Sequence, residues 1–257
     1  MTKRECNERM ANSTREVSLI HQLSRTGGTV FAKVIGNNKN VILLSEVHPN
    51  KKGEDIRRQC LKNYQIIIPK RITSYVECIK FLLESREEKI IVRDLSHQDF
   101  LYRRSKLRIA SAPILQDQFE LHRMSLARHP ADQFLSMMNF KPIKRYMNYD
   151  LFCRGYINYH NCIPSRGIIR YEDFINAPEK TISEALRFLN IPPSQNILEK
   201  FYTNKKVTGD KPENGSRGFL LRQVTKLPKR DGFDEVCEDL RKNEEMVKIC
   251  TRLAYDL

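Results

Sequence analysis

Five short β-rich runs, alternating along the chain with segments of helical spacing, constrain this chain more than any other feature. The runs are Val17–Leu23, Val41–Leu44, Lys89–Arg93, His122–Ala127 and Gly167–Tyr171. Between them, Val30–Ile35 is helix-capable, and Ser74–Glu87 sets Val76, Ile79 and Leu83 on one helical face. Pro130–Met138 opens with proline in the first turn, a favoured helix start. Pro178–Leu189 carries Ile182, Ala185, Leu186 and Leu189 at helical spacing. Strands joined through helices return in the same direction, so the pattern predicts a three-layer α/β fold with a mainly parallel central sheet.

Length and composition suit one such unit. At 257 residues, with 40% apolar and 30% charged residues, the chain can bury a core and reads as a single domain over 1–257. Residues 1–16 read as flexible. The stretch 203–233 turns polar and rich in Gly, Pro and Lys, an irregular loop of the length that usually serves a function. Asp234–Leu257 reads as one closing charged helix.

The 45 Lys and Arg against 31 Asp and Glu give a net charge of +14, a field that draws anions. No zinc-finger spacing or aromatic-rich RNA-binding strand accompanies it, so nucleic acid is not the expected partner. No run approaches the roughly 20 apolar residues of a membrane span, and Met1–Glu16 is polar. Seven cysteines without a CxxC pair argue against a disulfide framework or a zinc site. Each reads instead as a small buried hydrophobe, and a reducing cytoplasm is the expected location.

Chemistry is suggested first by Ser24-Arg25-Thr26-Gly27-Gly28-Thr29, a glycine turn between the first strand and its helix. Such a turn aims backbone N–H groups and the positive end of a helix dipole at one point, where an anion can sit. The triphosphatase pattern GxxxxGK[ST] is absent, so nucleoside triphosphate chemistry is disfavoured. A second segment, Leu126-Ala127-Arg128-His129-Pro130-Ala131-Asp132-Gln133-Phe134-Leu135-Ser136, places an Arg at a strand end and a Ser eight residues on. Two further segments follow, Ile169-Arg170-Tyr171-Glu172-Asp173-Phe174 and Thr208–Gly218.

Taken together and in this order, the four segments resemble the sulfotransferases that use 3′-phosphoadenosine 5′-phosphosulfate (PAPS). Their loop has the form P-[KR]-[ST]-G-[TG]-T, matched here with Ser24 in the proline position. The resemblance implies a version of the α/β fold like that of phosphate-loop NTPases, with PAPS as donor and no metal required. It implies that Ser24, Arg25, Thr26, Gly27, Gly28 and Thr29 hold the 5′-phosphosulfate, and that Arg128 and Ser136 take the 3′-phosphate. Lys211, Ser216 and Arg217 become candidate nucleotide contacts in a late closing loop. The segment with Asp173 and Asn176 reads as architectural, near the next helix start.

Sulfuryl transfer builds charge on the oxygen leaving toward phosphate, and Arg25 is the expected cation there. The acceptor must also lose a proton. Glu46, in Leu44-Ser45-Glu46-Val47-His48, resembles the catalytic glutamate segment of heparan-sulfate sulfotransferases and is the first candidate base. His97, after Ile91-Val92-Arg93-Asp94, resembles the strand end carrying the histidine of cytosolic sulfotransferases and is the second. His48 ranks behind both, and Arg93 is a candidate to assist the sulfuryl group. The acceptor is expected to be a small molecule, lipid or glycan bearing a hydroxyl or amine. Two rival readings stay open: a phosphate-loop nucleotide kinase, and a noncatalytic anion- or glycan-binding protein with the same fold.

Overall fold

The computed structural model describes residues 15–209 and 222–257. Five strands, β1 (Glu16–Gln22), β2 (Val41–Val47), β3 (Lys89–Asp94), β4 (Glu120–Ala127) and β5 (Ile168–Arg170), form one sheet in the order β2-β3-β1-β4-β5. Every pairing is parallel. The expected three-layer α/β architecture is therefore observed, and the sheet is parallel throughout. Parallel strands put all their carboxyl ends on one edge, the edge at which open α/β sheets bind ligands.

The main flanking helices are α1 (Gly28–Ile35), α2 (Tyr75–Ser85), α3 (Pro130–Met138), α4 (Tyr149–Cys162), α5 (Pro178–Phe188), α6 (Phe233–Arg241) and α7 (Glu244–Arg252). Local chemistry sets several of their starts. Ser74 caps α2 in a reciprocal capping box with Glu77, and Pro130 opens α3. Alternation along the strands sorts the core into two apolar clusters, one on each face of the sheet. Leu19, Leu44 and Val92 meet Ile79 and Leu82 of α2 in one; Ile20, Leu43 and Ile91 meet Phe31, Val34 and Ile35 of α1 in the other. Fully burying each such side chain contributes about 1.5–3 kcal/mol, so the sheet is clamped between helices.

Two features depart from the expectation. The closing segment is two helices, α6 and α7, because the Asn243 side chain accepts the Met246 N–H at 3.0 Å and starts a new helix there. The 14-residue α4 was not anticipated; its Tyr, Cys, Phe and His residues have modest helix propensity and give no clean stripe. It begins where Asn148 Oδ1 accepts the Leu151 N–H at 2.8 Å.

Candidate functional site

The loop Ser24–Thr29 leaves the central strand and turns directly into α1. Arg25 (φ 69°) and Gly27 (φ 82°) both lie in the left-handed region, which is how six residues reverse the chain so tightly. A Cβ on Gly27 would also fall 2.3 Å from the Tyr171 ring, and one on Gly28 would fall 1.5 Å from Gln22 Oε1. No side chain caps the start of α1. Its first N–H groups therefore have neither an intrahelical partner nor a cap, the arrangement an anion completes. Thr26 donates its hydroxyl to the Leu23 carbonyl at 3.0 Å and is buried, so it shapes the loop. Gln133 of α3 fixes the other end, donating to the Ser24 carbonyl at 2.8 Å.

The Arg and Ser at the β4–α3 junction converge on this loop. Arg25 Nε donates to Ser136 Oγ at 3.1 Å, and Arg128 Nη1 donates to the Arg25 carbonyl at 3.1 Å. The Arg128 guanidinium lies 4.6 Å from the centre of the Tyr171 ring, while its Nε is buried without a hydrogen-bond partner among the described residues. The same Tyr171 ring thus packs the loop glycine and carries the arginine. A buried guanidinium with an unsatisfied N–H beside an uncapped helix start fits a phosphate-bearing ligand. Asp173, read as architectural, forms a two-point contact with Arg170 at 2.7 and 2.8 Å; α5 itself starts without a side-chain cap.

On the other side of the loop stand the ends of β2 and β3. Glu46 sits at a register shift in β2 with φ 56°. Its Oε1 is 2.7 Å from Arg93 Nη2, and its Oε2 accepts the Thr208 hydroxyl at 3.0 Å. Arg93 is fully buried and donates to the Gly28 and Thr208 carbonyls, both at 3.1 Å. It does not line the cavity, so its visible task is to tie α1, β2 and the 208 segment together. His48 accepts the Asn50 N–H on Nδ1 and faces Asp99 with Nε2 at 3.1 Å, leaving neither ring nitrogen for a substrate.

His97 does line the cavity. Part of its surface faces that space, yet protein surrounds the ring. Desolvation holds its pKa below the ordinary histidine value, opposed chiefly by the nearby Glu46 carboxylate. The turn that carries it is pinned from below by Asp94. That buried carboxylate accepts from Ser96 through both backbone N–H and hydroxyl, from Ser111 at 2.8 Å, and from His21, whose other nitrogen accepts from Arg123 at 3.1 Å. Burial alone would raise the Asp94 pKa, but His21 and these hydroxyls bring it below the usual carboxylate value.

The cavity between the two sides measures about 390 Å³ and joins the whole Ser24–Thr29 loop to Glu46, His97 and Gly209. Tyr102, Phe140, Arg145 and Tyr146 also line it, and none of these was anticipated from sequence. The only local hint was the mixture of aromatic and basic residues in Leu101–Arg108 and Lys141–Tyr146. Lys211, Ser216 and Arg217 lie outside the described residues. Among the described residues, no group of three or more His, Cys, Asp or Glu side chains is placed to hold a metal, and no helix is long and apolar enough to cross a membrane.

No protein-family model matches this chain, and no curated protein matches it in sequence. Solved structures do match. The sulfotransferase domain from the curacin biosynthetic pathway superposes with a TM-score of 0.63 at 13% identity, covering 95% of this chain and 99% of that one. The sulfotransferase domain from the Synechococcus PCC 7002 olefin synthase gives 0.62 at 14% identity, covering 96% and 98%. The chain has the sulfotransferase fold.

Proposed function

We propose that this protein is a PAPS-dependent sulfotransferase acting on a hydroxyl or amine acceptor, with 1–257 as its single catalytic domain. The observation that carries the reading is the uncapped Ser24–Thr29 loop on one side of a cavity whose other side holds His97 and Glu46, with Ser136 and Arg128 hydrogen-bonded to Arg25 of that loop. The loop amides and Arg25 receive the 5′-phosphosulfate, and Arg128 with Ser136 receives the 3′-phosphate. Lys211, Ser216 and Arg217 remain candidate contacts to the nucleotide. Gly209, at the cavity edge, supports a closing role for the chain that follows it.

In the transfer, a new bond forms between the acceptor oxygen or nitrogen and sulfur while the bond from sulfur to the phosphate oxygen breaks. Arg25 stabilises the negative charge gathering on that oxygen as the bisphosphate leaves with the bonding electrons. His97 takes the acceptor proton. Its lowered pKa keeps the imidazole neutral and ready at neutral pH. Glu46 has both oxygens committed, to Arg93 and to Thr208, which favours a different task. Its charge stabilises the imidazolium once the proton has moved. The two candidate bases therefore act as a pair, with His97 touching the acceptor. The six described cysteines are free thiols, which supports a reducing, cytoplasmic setting.

Calorimetric titration tests the donor. Adenosine 3′,5′-bisphosphate should bind far more tightly than ATP with magnesium or adenosine 5′-phosphate, and equal affinity for magnesium ATP would overturn the reading. Turnover of labelled PAPS then separates an enzyme from a protein that only binds anions.

A further inference from the structure

The cavity does not end at His97. A second cavity, of about 670 Å³, adjoins it, and Tyr102 and Tyr146 line both. Their rings stack, with centres 5.2 Å apart and planes 18° apart, and Tyr102 is 40% exposed. The pair forms an aromatic wall running from the proton-accepting end outward. Beyond it the outer cavity is lined by Arg103, Asn148, Asp150, Leu151 and Arg154.

Two segments supply this wall, Leu101–Arg108 and Lys141–Tyr146, and neither contains an acidic residue. Their Arg103, Arg104, Lys106, Lys141, Lys144 and Arg145 are all exposed, and none forms an ion pair with a carboxylate among the described residues. Arg154 is occupied differently, donating to the Tyr102 and Arg103 carbonyls at 2.9 and 3.3 Å and so holding the first segment in place. Of the six, Arg103 lines the outer cavity beside Arg154, where Asp150 is the one acid, and Arg145 lines the inner cavity. Two arginines against one acid leave the outer cavity net positive, and the unpaired cations of the two segments that supply its tyrosines add to a field that steers an anionic ligand toward it. The donor loop does not account for Arg103, which lines the outer cavity and not the one that the Ser24–Thr29 loop lines.

We propose that the acceptor is an elongated, ring-bearing molecule with an anionic group at the end remote from its accepting hydroxyl. The hydroxyl end reaches His97, the ring lies along Tyr102 and Tyr146, and the carboxylate, phosphate or sulfate meets Arg103 and its neighbours. This rests on the sulfotransferase reading and narrows it from any hydroxyl or amine to one charge class.

A matched pair of acceptors tests it: 4-hydroxybiphenyl and 4′-hydroxybiphenyl-4-carboxylate, each at saturating PAPS, with bisphosphate release as the readout. The carboxylate should show kcat/KM at least ~5-fold higher, the value of one exposed charge pair at the upper end of its range. Arg103→Glu should erase that ratio, and high salt should shrink it. Calorimetry with the bisphosphate shows that the variant still folds and keeps its donor site. The inference is overturned if the neutral acceptor matches the carboxylate, if Arg103→Glu leaves the ratio unmoved, or if neither acceptor reacts while the bisphosphate binds. Failure of the wild-type protein to bind the bisphosphate would instead remove the donor reading on which it stands.

Discussion

The two sides of the cavity are built from different materials. The side proposed for the donor is largely backbone: six consecutive residues, two of them in left-handed conformations, open one helix and present its N–H groups. The side proposed for the acceptor is side chains, drawn from positions 46, 97, 102, 140, 145 and 146 on three separate stretches of chain. Backbone recognition demands glycine and a helix start in one place, so it leaves a contiguous trace in sequence. Side-chain recognition needs only that distant residues arrive together, and it leaves almost none.

The largest expected effect falls on the acceptor side. His97→Asn should lower single-turnover rate at saturating donor by ~10² to 10⁴, the usual span for a general base, with bisphosphate affinity retained. Should Glu46→Gln show that loss while His97→Asn keeps near-normal turnover, the roles assigned to the pair reverse. On the donor side, Arg128→Ala should weaken bisphosphate binding by ~1.5 to 3 kcal/mol, the range for hydrogen bonds to a charged group. Calorimetry giving wild-type affinity in a folded Arg128→Ala protein would take that residue out of the site.

Smaller effects sharpen the contrast. Gly27→Ala forces a side chain into a left-handed residue, costing about 1–2 kcal/mol, and pushes against the Tyr171 ring that carries Arg128. Thermal unfolding should show the lost stability, and donor affinity should fall with it, while acceptor KM at saturating donor stays near wild type. A normal donor affinity would mean that the loop geometry is not what holds the phosphosulfate. The last effect is a shift in pH. His97 must be neutral to accept a proton, so kcat should rise with pH through a midpoint below the ordinary histidine value near 6.5 and then level off. Because the Glu46 carboxylate raises the His97 pKa, Glu46→Gln should move that midpoint lower still. A midpoint that stayed put or rose would uncouple the two.

Much of this architecture was written locally. Short β-rich runs marked all five strands, Pro130 marked a helix start, and a glycine turn after a strand marked a candidate anion loop, because each depends on neighbours within a few residues. Arg128 and Ser136 were singled out by the resemblance of their segment to the sulfotransferases, whose strand-end Arg and helical Ser lie eight residues apart. Other decisions belonged to the tertiary structure. Sequence left Glu46 and His97 as rivals, since each merely followed a strand; pairing β2 beside β3 brought Glu46 against the buried Arg93, on the same cavity as His97. The exclusion of His48 required Asn50 and Asp99 around one ring. The stacked Tyr102 and Tyr146, 44 positions apart in sequence, became a wall only through packing. Short-range periodicity and capping fix elements, whereas the meeting of side chains depends on how those elements pack, a long-range property that no single window of sequence contains.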